Sequence, residues 1–380
     1  MTRIALLYGD TGGGHRSAAQ SIDKGLHIVY GDAVQTELVN ALNYAPSAFR
    51  PLTEGYPIWV NYARTLYALG FHASNKRRRV VALRNVLEPI GEKAAAEMLH
   101  DHPADVYVSC HPIFNHAVPF AIAAARMRSR YVHVVTDLVS GHVLHYAPEV
   151  DHCIVPTDEA REEAIRNFVR IDKISVAGQP VPPDFRARMG TRDALRRQLG
   201  LQDDKLTVLL MGGGDGMGRL EVTARELALS GLPIQMLVVC GRNRTVRENL
   251  EFVNPRVPYM KIFGFVDNVP ELMGASDVII TKAGPGTICE AFIAGLPIVL
   301  YDAVPGQEEG NVRYVVDKGA GAWCPTPAAV LKQLRTWITM PGDLAAARRA
   351  SALLARPDSA VEIARILGRF FPAPDATNNS

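Results

Sequence analysis

Paired cysteines are missing from this sequence. Cys110, Cys153, Cys240, Cys289 and Cys324 are odd in number, scattered and never spaced C-x-x-C. A disulfide framework and a cysteine zinc knot are thereby excluded, and a reducing compartment is expected. An uninterrupted run of 18 apolar residues is also absent, which excludes a membrane-spanning helix. Charge of one sign is not in excess either: 41 Lys and Arg against 39 Asp and Glu leave +2. No global field then attracts nucleic acid, and an anionic partner must be met by a local patch. The opening MTRIALLYGD has one basic residue and an apolar run that stops at Gly9, too short for a secretory signal. Neither H-E-x-x-H nor D-x-D occurs, which removes the usual zinc-hydrolase and metal-diphosphate signatures.

What is present is a rhythm of short apolar strands and helix-length segments. Ile4 to Tyr8, Asp105 to Ser109, Tyr131 to Val135, Cys153 to Pro156 and Ile174 to Ala177 read as buried parallel strands. The rhythm restarts with Leu206 to Met211, Gln235 to Cys240, Tyr259 to Phe263, Val278 to Thr281 and Ile298 to Tyr301. With 380 residues, this predicts an α/β protein of two tandem Rossmann-like, doubly wound domains with an interdomain cleft. The expected division is 1–178 for an acceptor and membrane-binding domain, 179–204 for a proline-rich linker, 205–358 for a nucleotide-sugar domain, and 359–380 for a C-terminal helix and tail.

Three glycine-rich turns follow strands and open helices, the layout of an anion site. The first, Gly9 to His15, contains Gly13 and Gly14 and ends in His15, either a general base facing a ligand or a structural histidine at a helix start. The second, Gly212 to Gly218, brings Gly213 and Gly214 backbone close to a ligand. In the third, Thr281 to Thr287, Lys282 and a helix N-terminus converge on a diphosphate, with Glu290 one turn further for two ribose hydroxyls. Asp137, at a strand's carboxyl end in V-V-T-D, is placed to orient or polarise His15. His111 and His116 fall on different faces and predict no zinc site. Lys282 and helix dipoles, rather than a metal or other cofactor, are expected to neutralise a leaving diphosphate.

The insert Tyr44 to Arg84 is rich in aromatics, including Trp59 and Tyr67, and ends in Lys76-Arg77-Arg78-Arg79. Rings suited to the headgroup level beside cations suit an anionic membrane surface; the alternative is core aromatics beside a solvated face.

The blocks TGGGHRSAAQSI, CHPIFNH, VVTDL, GGGDGMG, CGRN, GFVDNVPELM, ITKAGPGTICEA and PGQEEGN occur in order between residues 11 and 311. Together they resemble the monogalactosyldiacylglycerol synthases, the processive diacylglycerol glucosyltransferases and the lipid II synthase of family 28. The resemblance implies a glycosyltransferase B fold and inverting transfer of a hexose, galactose favoured, from a UDP-sugar to 1,2-diacylglycerol without an essential metal. It implies that Phe265 and Val266 read uracil, that Lys282, Ala283, Gly284, Gly286 and Thr287 hold the diphosphate, that Glu290 holds ribose, and that Gln307 and Glu308 bind the sugar. Glucose as the donor sugar, another lipid acceptor, and a nucleotide-sugar 2-epimerase are the alternatives. Because the chain starts on its first strand, without the plastid transit peptide of the plant enzymes, a bacterial protein peripheral to the cytoplasmic face of the membrane is expected.

Overall fold

A computed structural model of the chain describes residues 1–10, 13–45, 63–75, 91–139, 141–214, 216, 218–253 and 259–373. Two compact units emerge: Met1–Pro57 with Leu69–Pro183 and Asp358–Ser380, and Ile58–Ala68 with Asp184–Pro357.

The first unit is built on an all-parallel sheet of β1 (Thr2–Tyr8), β2 (Val34–Asn40), β3 (Val106–Ser109), β4 (Arg130–Val134), β5 (His152–Val155) and β6 (Ile174–Val176), in the order β2-β1-β3-β4-β5-β6. Its inner strands β1, β3, β4 and β5 are buried on both faces because both are covered. Ile4 and Leu6 pack with Ala18, Ile22 and Leu26 of the helix Gly14–Tyr30, whereas Ala5 and Leu7 pack with Met98, Val118 and Tyr131 on the opposite side.

The second unit repeats the plan with β7 (Leu206–Met211), β8 (Ile234–Val239), β9 (Met260–Phe263), β10 (Val278–Lys282), β11 (Ile298–Asp302) and β12 (Gly321–Trp323), in the order β12-β11-β10-β7-β8-β9. Val208 and Leu210 bury against Leu220, Ala224 and Leu227 of the helix Leu220–Ala228 and against Val330, Leu334 and Trp337 of the helix Pro327–Thr339. Both doubly wound sheets thus agree with the expected fold class.

The division of the chain differs from the expected one in three places. Residues 184–204 are no free linker: they carry the helices Phe185–Arg188 and Arg192–Gln198, which belong to the second unit. Buried Arg196 fixes them there, donating to Asp277 Oδ2 at 2.6 Å, Thr207 Oγ1 at 2.7 Å and the Ala275 carbonyl at 3.1 Å. The C-terminal helix Ser359–Leu367 returns to the first unit, where Ser359 Oγ donates to the Gln179 carbonyl at 2.6 Å. It lies so close to the first helix that a Cβ at Gly25 would stand 2.4 Å from the Ala360 carbonyl oxygen. Residues 58–68, third, group with the second unit although they precede most of the first.

Candidate active site

In each unit the strand order reverses at its opening strand, and a crevice at the carboxyl ends is expected at that point. For the first sheet this point is β1, flanked by β2 and β3. Leu7 pairs with Ser109, so the chain positions two residues on, Gly9 and His111, emerge side by side. A Cβ at Gly9 would stand 2.5 Å from His111 Cδ2; only glycine leaves room for this ring. His111 Nδ1 accepts the Ile113 N–H at 3.2 Å, which assigns the ring proton to Nε2.

His15 leans on this ring edge-on, the centroids 4.7 Å apart and the planes at 85°. It is half-buried, with Nδ1 enclosed and lacking a hydrogen-bond partner among the described residues. Burial lowers its pKa to about 4, and burial, with the neighbouring His15 and His133, holds His111 well below the ordinary histidine range. At neutral pH both rings are uncharged, the form able to accept a proton.

Asp137 follows β4, as expected, and one of its neighbours is His145. Its carboxylate, 4% exposed, meets His145 Nε2 at 3.6 Å, and His145 Nδ1 lies 3.0 Å from His133 Nε2. His133 and His145 thus share one hydrogen bond, whose direction follows their tautomers, and the Asp137 carboxylate lies beside the outer face of His145. The ring against His15 is His111, and Asp137 stands in a buried group with His145 and His133.

In the second unit the reversal falls between β7 and β10, where Thr281 pairs with Met211 and sets Lys282 beside the second glycine loop. Lys282 Nζ donates to Glu308 Oε1 at 2.7 Å, and Glu308 Oε2 accepts the Val304 N–H at 2.8 Å, so a buried carboxylate fixes the ammonium. Positions of a Cβ built on Gly213 and Gly284 lie 3.4 Å from Lys282 Cε and 3.1 Å from Nζ. The helix Pro285–Ala294 starts beside it with proline first and no side-chain cap. The amides of Gly286 and Thr287 therefore have no intrahelical acceptor and stand at the positive end of the helix dipole. Ala283 is buried, and its carbonyl accepts from Asn311 Nδ2 at 3.0 Å.

Glu290 is half-buried and has no hydrogen bond or ion pair among the described residues. Burial pushes its carboxyl up to about 7. Phe265 and Val266 occupy the bend after β9; Phe265 is 60% exposed, with the Arg242 guanidinium 4.5 Å from its ring centroid. Arg242 N–H donates to the Gly214 carbonyl at 2.9 Å, tying that stack to the glycine loop. Gln307 Oε1 accepts from Tyr67 Oη at 2.8 Å.

Sequence reading missed His111, Arg242, Arg64 and the donor-side place of Tyr67. His111 and Arg242 lie inside the blocks CHPIFNH and CGRN, so a signal for them existed. Trp59 and Lys76, Arg77, Arg78 and Arg79 lie outside the described residues, as do Phe49, Tyr56 and Tyr62. Among the described residues no three His, Cys, Asp or Glu side chains gather as a metal site, and no helix is long and apolar enough to cross a membrane.

Solved structures share this architecture over 97% of the chain. Acinetobacter baumannii MurG does so at 16% identity and TM-score 0.63, covering 100% of that chain. A UDP-GlcNAc 2-epimerase from Neisseria meningitidis, bound to UDP-GlcNAc, does so at 13% identity and TM-score 0.63, also covering 100% of that chain. At such identities the likeness speaks for the fold alone, so it gives the epimerase alternative no support beyond architecture. Residues 207–363 match the glycosyltransferase family 28 C-terminal domain. Fold and matched domain together define an enzyme, a glycosyltransferase of the B fold.

Residues 15–181 match the monogalactosyldiacylglycerol (MGDG) synthase model. A probable chloroplastic monogalactosyldiacylglycerol synthase of Glycine max is 35% identical, covering 95% of this chain and 70% of that protein. The chloroplastic monogalactosyldiacylglycerol synthase of Spinacia oleracea is also 35% identical, over 95% and 71%. The chain belongs to the monogalactosyldiacylglycerol synthase family. This overturns the expected bacterial, cytoplasmic-face location, because these relatives are chloroplast proteins of plants.

Proposed function

We propose that the protein transfers galactose from UDP-galactose to the free primary hydroxyl of 1,2-diacylglycerol, with inversion at the anomeric carbon. The observation that carries this reading is the second unit's cradle, Lys282 beside the uncapped helix start at Pro285 and a Glu290 without a hydrogen bond among the described residues, in a chain 35% identical to galactolipid synthases. Lys282 and the amides of Gly286 and Thr287 match a diphosphate. Glu290 matches the ribose diol, since two hydroxyl donors satisfy a carboxylate that lacks them. Phe265 and Val266 take the uracil, Gly213 and Gly214 let backbone approach the phosphates, and Gln307 and Glu308 receive the hexose.

His15 then acts as the base. Its neutral imidazole removes the hydroxyl proton as the acceptor oxygen attacks the anomeric carbon, forming one C–O bond while the bond to the UDP oxygen breaks on the opposite face. Lys282 and the helix N-terminus stabilise charge as it develops on that departing oxygen. Asp137 acts through His145, which it touches in the histidine group that contains His15. Gly13 and Gly14 bring the first loop's backbone to the acceptor. Trp59 and Lys76 to Arg79 dock the protein on an anionic bilayer, because diacylglycerol does not leave the membrane.

The reaction, so written, calls on no resident metal or other cofactor. Incubation of the protein and diacylglycerol with radiolabelled UDP-galactose or UDP-glucose, with and without EDTA, followed by lipid chromatography, tests the reading. Labelled monogalactosyldiacylglycerol formed in EDTA is the expected result. Label in glucolipid only, free epimerised sugar, or a product that requires added Mg²⁺ or Mn²⁺ would each overturn the corresponding part.

A further inference from the structure

The helix Arg64–Ser74 arises from the aromatic insert, yet its first turn belongs to the second unit. Arg64 grips Asp302 with both arms of its guanidinium, Nη1 to Oδ2 at 2.9 Å and Nη2 to Oδ1 at 2.5 Å, and Nη2 also reaches the Ala303 carbonyl at 2.6 Å. Three residues later, on the same helix face, Tyr67 Oη donates to Gln307 Oε1 at 2.8 Å. Asp302 ends β11, and Gln307 stands two residues before the helix Glu309–Asp317. One helical turn therefore holds both ends of the loop 302–308.

That loop also carries Glu308, the carboxylate bound to Lys282. In a nucleotide sugar the hexose hangs from the phosphate distal to the ribose. Groups beside Lys282 on the side away from Glu290 thus meet the sugar, an assignment that rests on the proposed function. A glutamine amide has an acceptor end and a donor end, and which end faces a hydroxyl decides which hydroxyl geometry it accepts. The Tyr67 phenol settles that by holding the oxygen end. The two-pronged Arg64 grip, charge-assisted and planar, keeps the helix turn in register with the loop.

We infer that Arg64 and Tyr67 are positioning residues for the donor sugar: they set the Gln307 amide and thereby the discrimination between galactose and its C4 epimer, glucose. A segment inserted in the acceptor half of the sequence so completes the recognition of the donor.

The test compares wild type with Tyr67→Phe, Arg64→Lys and Arg64→Ala, each checked for cooperative melting. Affinity for UDP is measured by calorimetry, and steady-state kinetics are run with UDP-galactose and UDP-glucose. UDP carries no hexose, so its affinity should stay within about twofold. The KM for UDP-galactose should rise about three- to tenfold in Tyr67→Phe, the range expected for one lost hydrogen bond, and the galactose-to-glucose ratio of kcat/KM should fall by a similar factor. Arg64→Ala should show the same pattern, with Arg64→Lys between it and wild type.

An unchanged KM and sugar ratio in a folded Tyr67→Phe protein would overturn the inference. So would a loss of UDP affinity matching the loss for UDP-galactose, which marks general damage to the cradle. A wild type that transfers no hexose to diacylglycerol would instead sink the proposed function, and the two failures are distinguishable.

Discussion

Glu290 and His15 are both perturbed by burial, but in opposite senses, and the two should be separable in a pH profile. Desolvation penalises the charged form, so it raises the carboxyl to about 7 and lowers the imidazole to about 4. In the proposed ribose site the ionised carboxylate is the form that accepts two hydroxyls, and its fraction grows as pH rises through about 7. UDP affinity should therefore strengthen between pH 6 and pH 8 and then level off; in Glu290→Gln, calorimetry should find it weaker and flat with pH. His15 is neutral throughout that range and contributes no titration there. His15→Ala should keep UDP affinity while kcat falls by about 10² to 10⁴, the usual worth of general-base assistance. Near-normal turnover of that variant at saturating acceptor would remove His15 from the base role. Lys282 and Glu290 were singled out in the sequence because a strand, a glycine turn and a helix start are contiguous there, and Gln307 and Glu308 only because the block PGQEEGN resembles the family. Arg64 was not, since its carboxylate partner lies 238 residues further along and no local pattern carries such a pairing.

Strands and loops divide in the same way. Every strand expected from apolar runs is present, whereas β2 and β12 were not anticipated, and both are sheet edges. An edge strand is covered incompletely: β2 exposes Gln35, Glu37 and Leu38 and reads as polar, while β12 is only three residues long. What the apolar runs could not show was the register that sets Gly9 level with His111. Gly9→Ala tests that register, because the new methyl must push the imidazole from its seat against His15. The expected outcome is a turnover loss of about tenfold or more with UDP affinity intact, read by kinetics and calorimetry on the same preparation. Equal kcat in the variant would show that the loop yields instead.

For the molecule as a whole, the histidines impose a pH limit on stability. Burial lowers His15, His142 and His152 to about 4 and His133 to about 3, against 6.5 for a free side chain. Below about pH 6.5 the unfolded chain binds protons that the folded chain refuses, so stability is lost as pH falls from there toward 4. The thermal midpoint should drop steeply over that interval, and His133→Asn should lessen the slope if the variant folds; a midpoint flat from pH 7 to pH 4.5 would contradict the burial of these rings. The proposed membrane attachment is a separate whole-molecule property. With a net charge of only +2, the proposal assigns the attraction to Lys76, Arg77, Arg78 and Arg79, at about 1 kcal/mol each near an anionic surface. Replacing all four by Ser should lower sedimentation with anionic liposomes and remove its salt sensitivity, with UDP affinity unchanged. Equal sedimentation at low salt would return the cluster to a solvated face.

The helix Ser359–Leu367 lies against the first helix of the chain, with Ile363 and Leu367 in the same cluster as Ile4 and Leu26. A ribosome releases residue 4 long before residue 363. At about 5–20 residues per second, the stretch from Pro183 to Ser359 takes roughly 10 to 35 s to make. For that time the first unit waits with one face of its sheet short of a covering helix, and the second unit, whose last segment ends at Pro357, is fully made before that helix is. The half of the protein that is begun first is thus the half that is finished last.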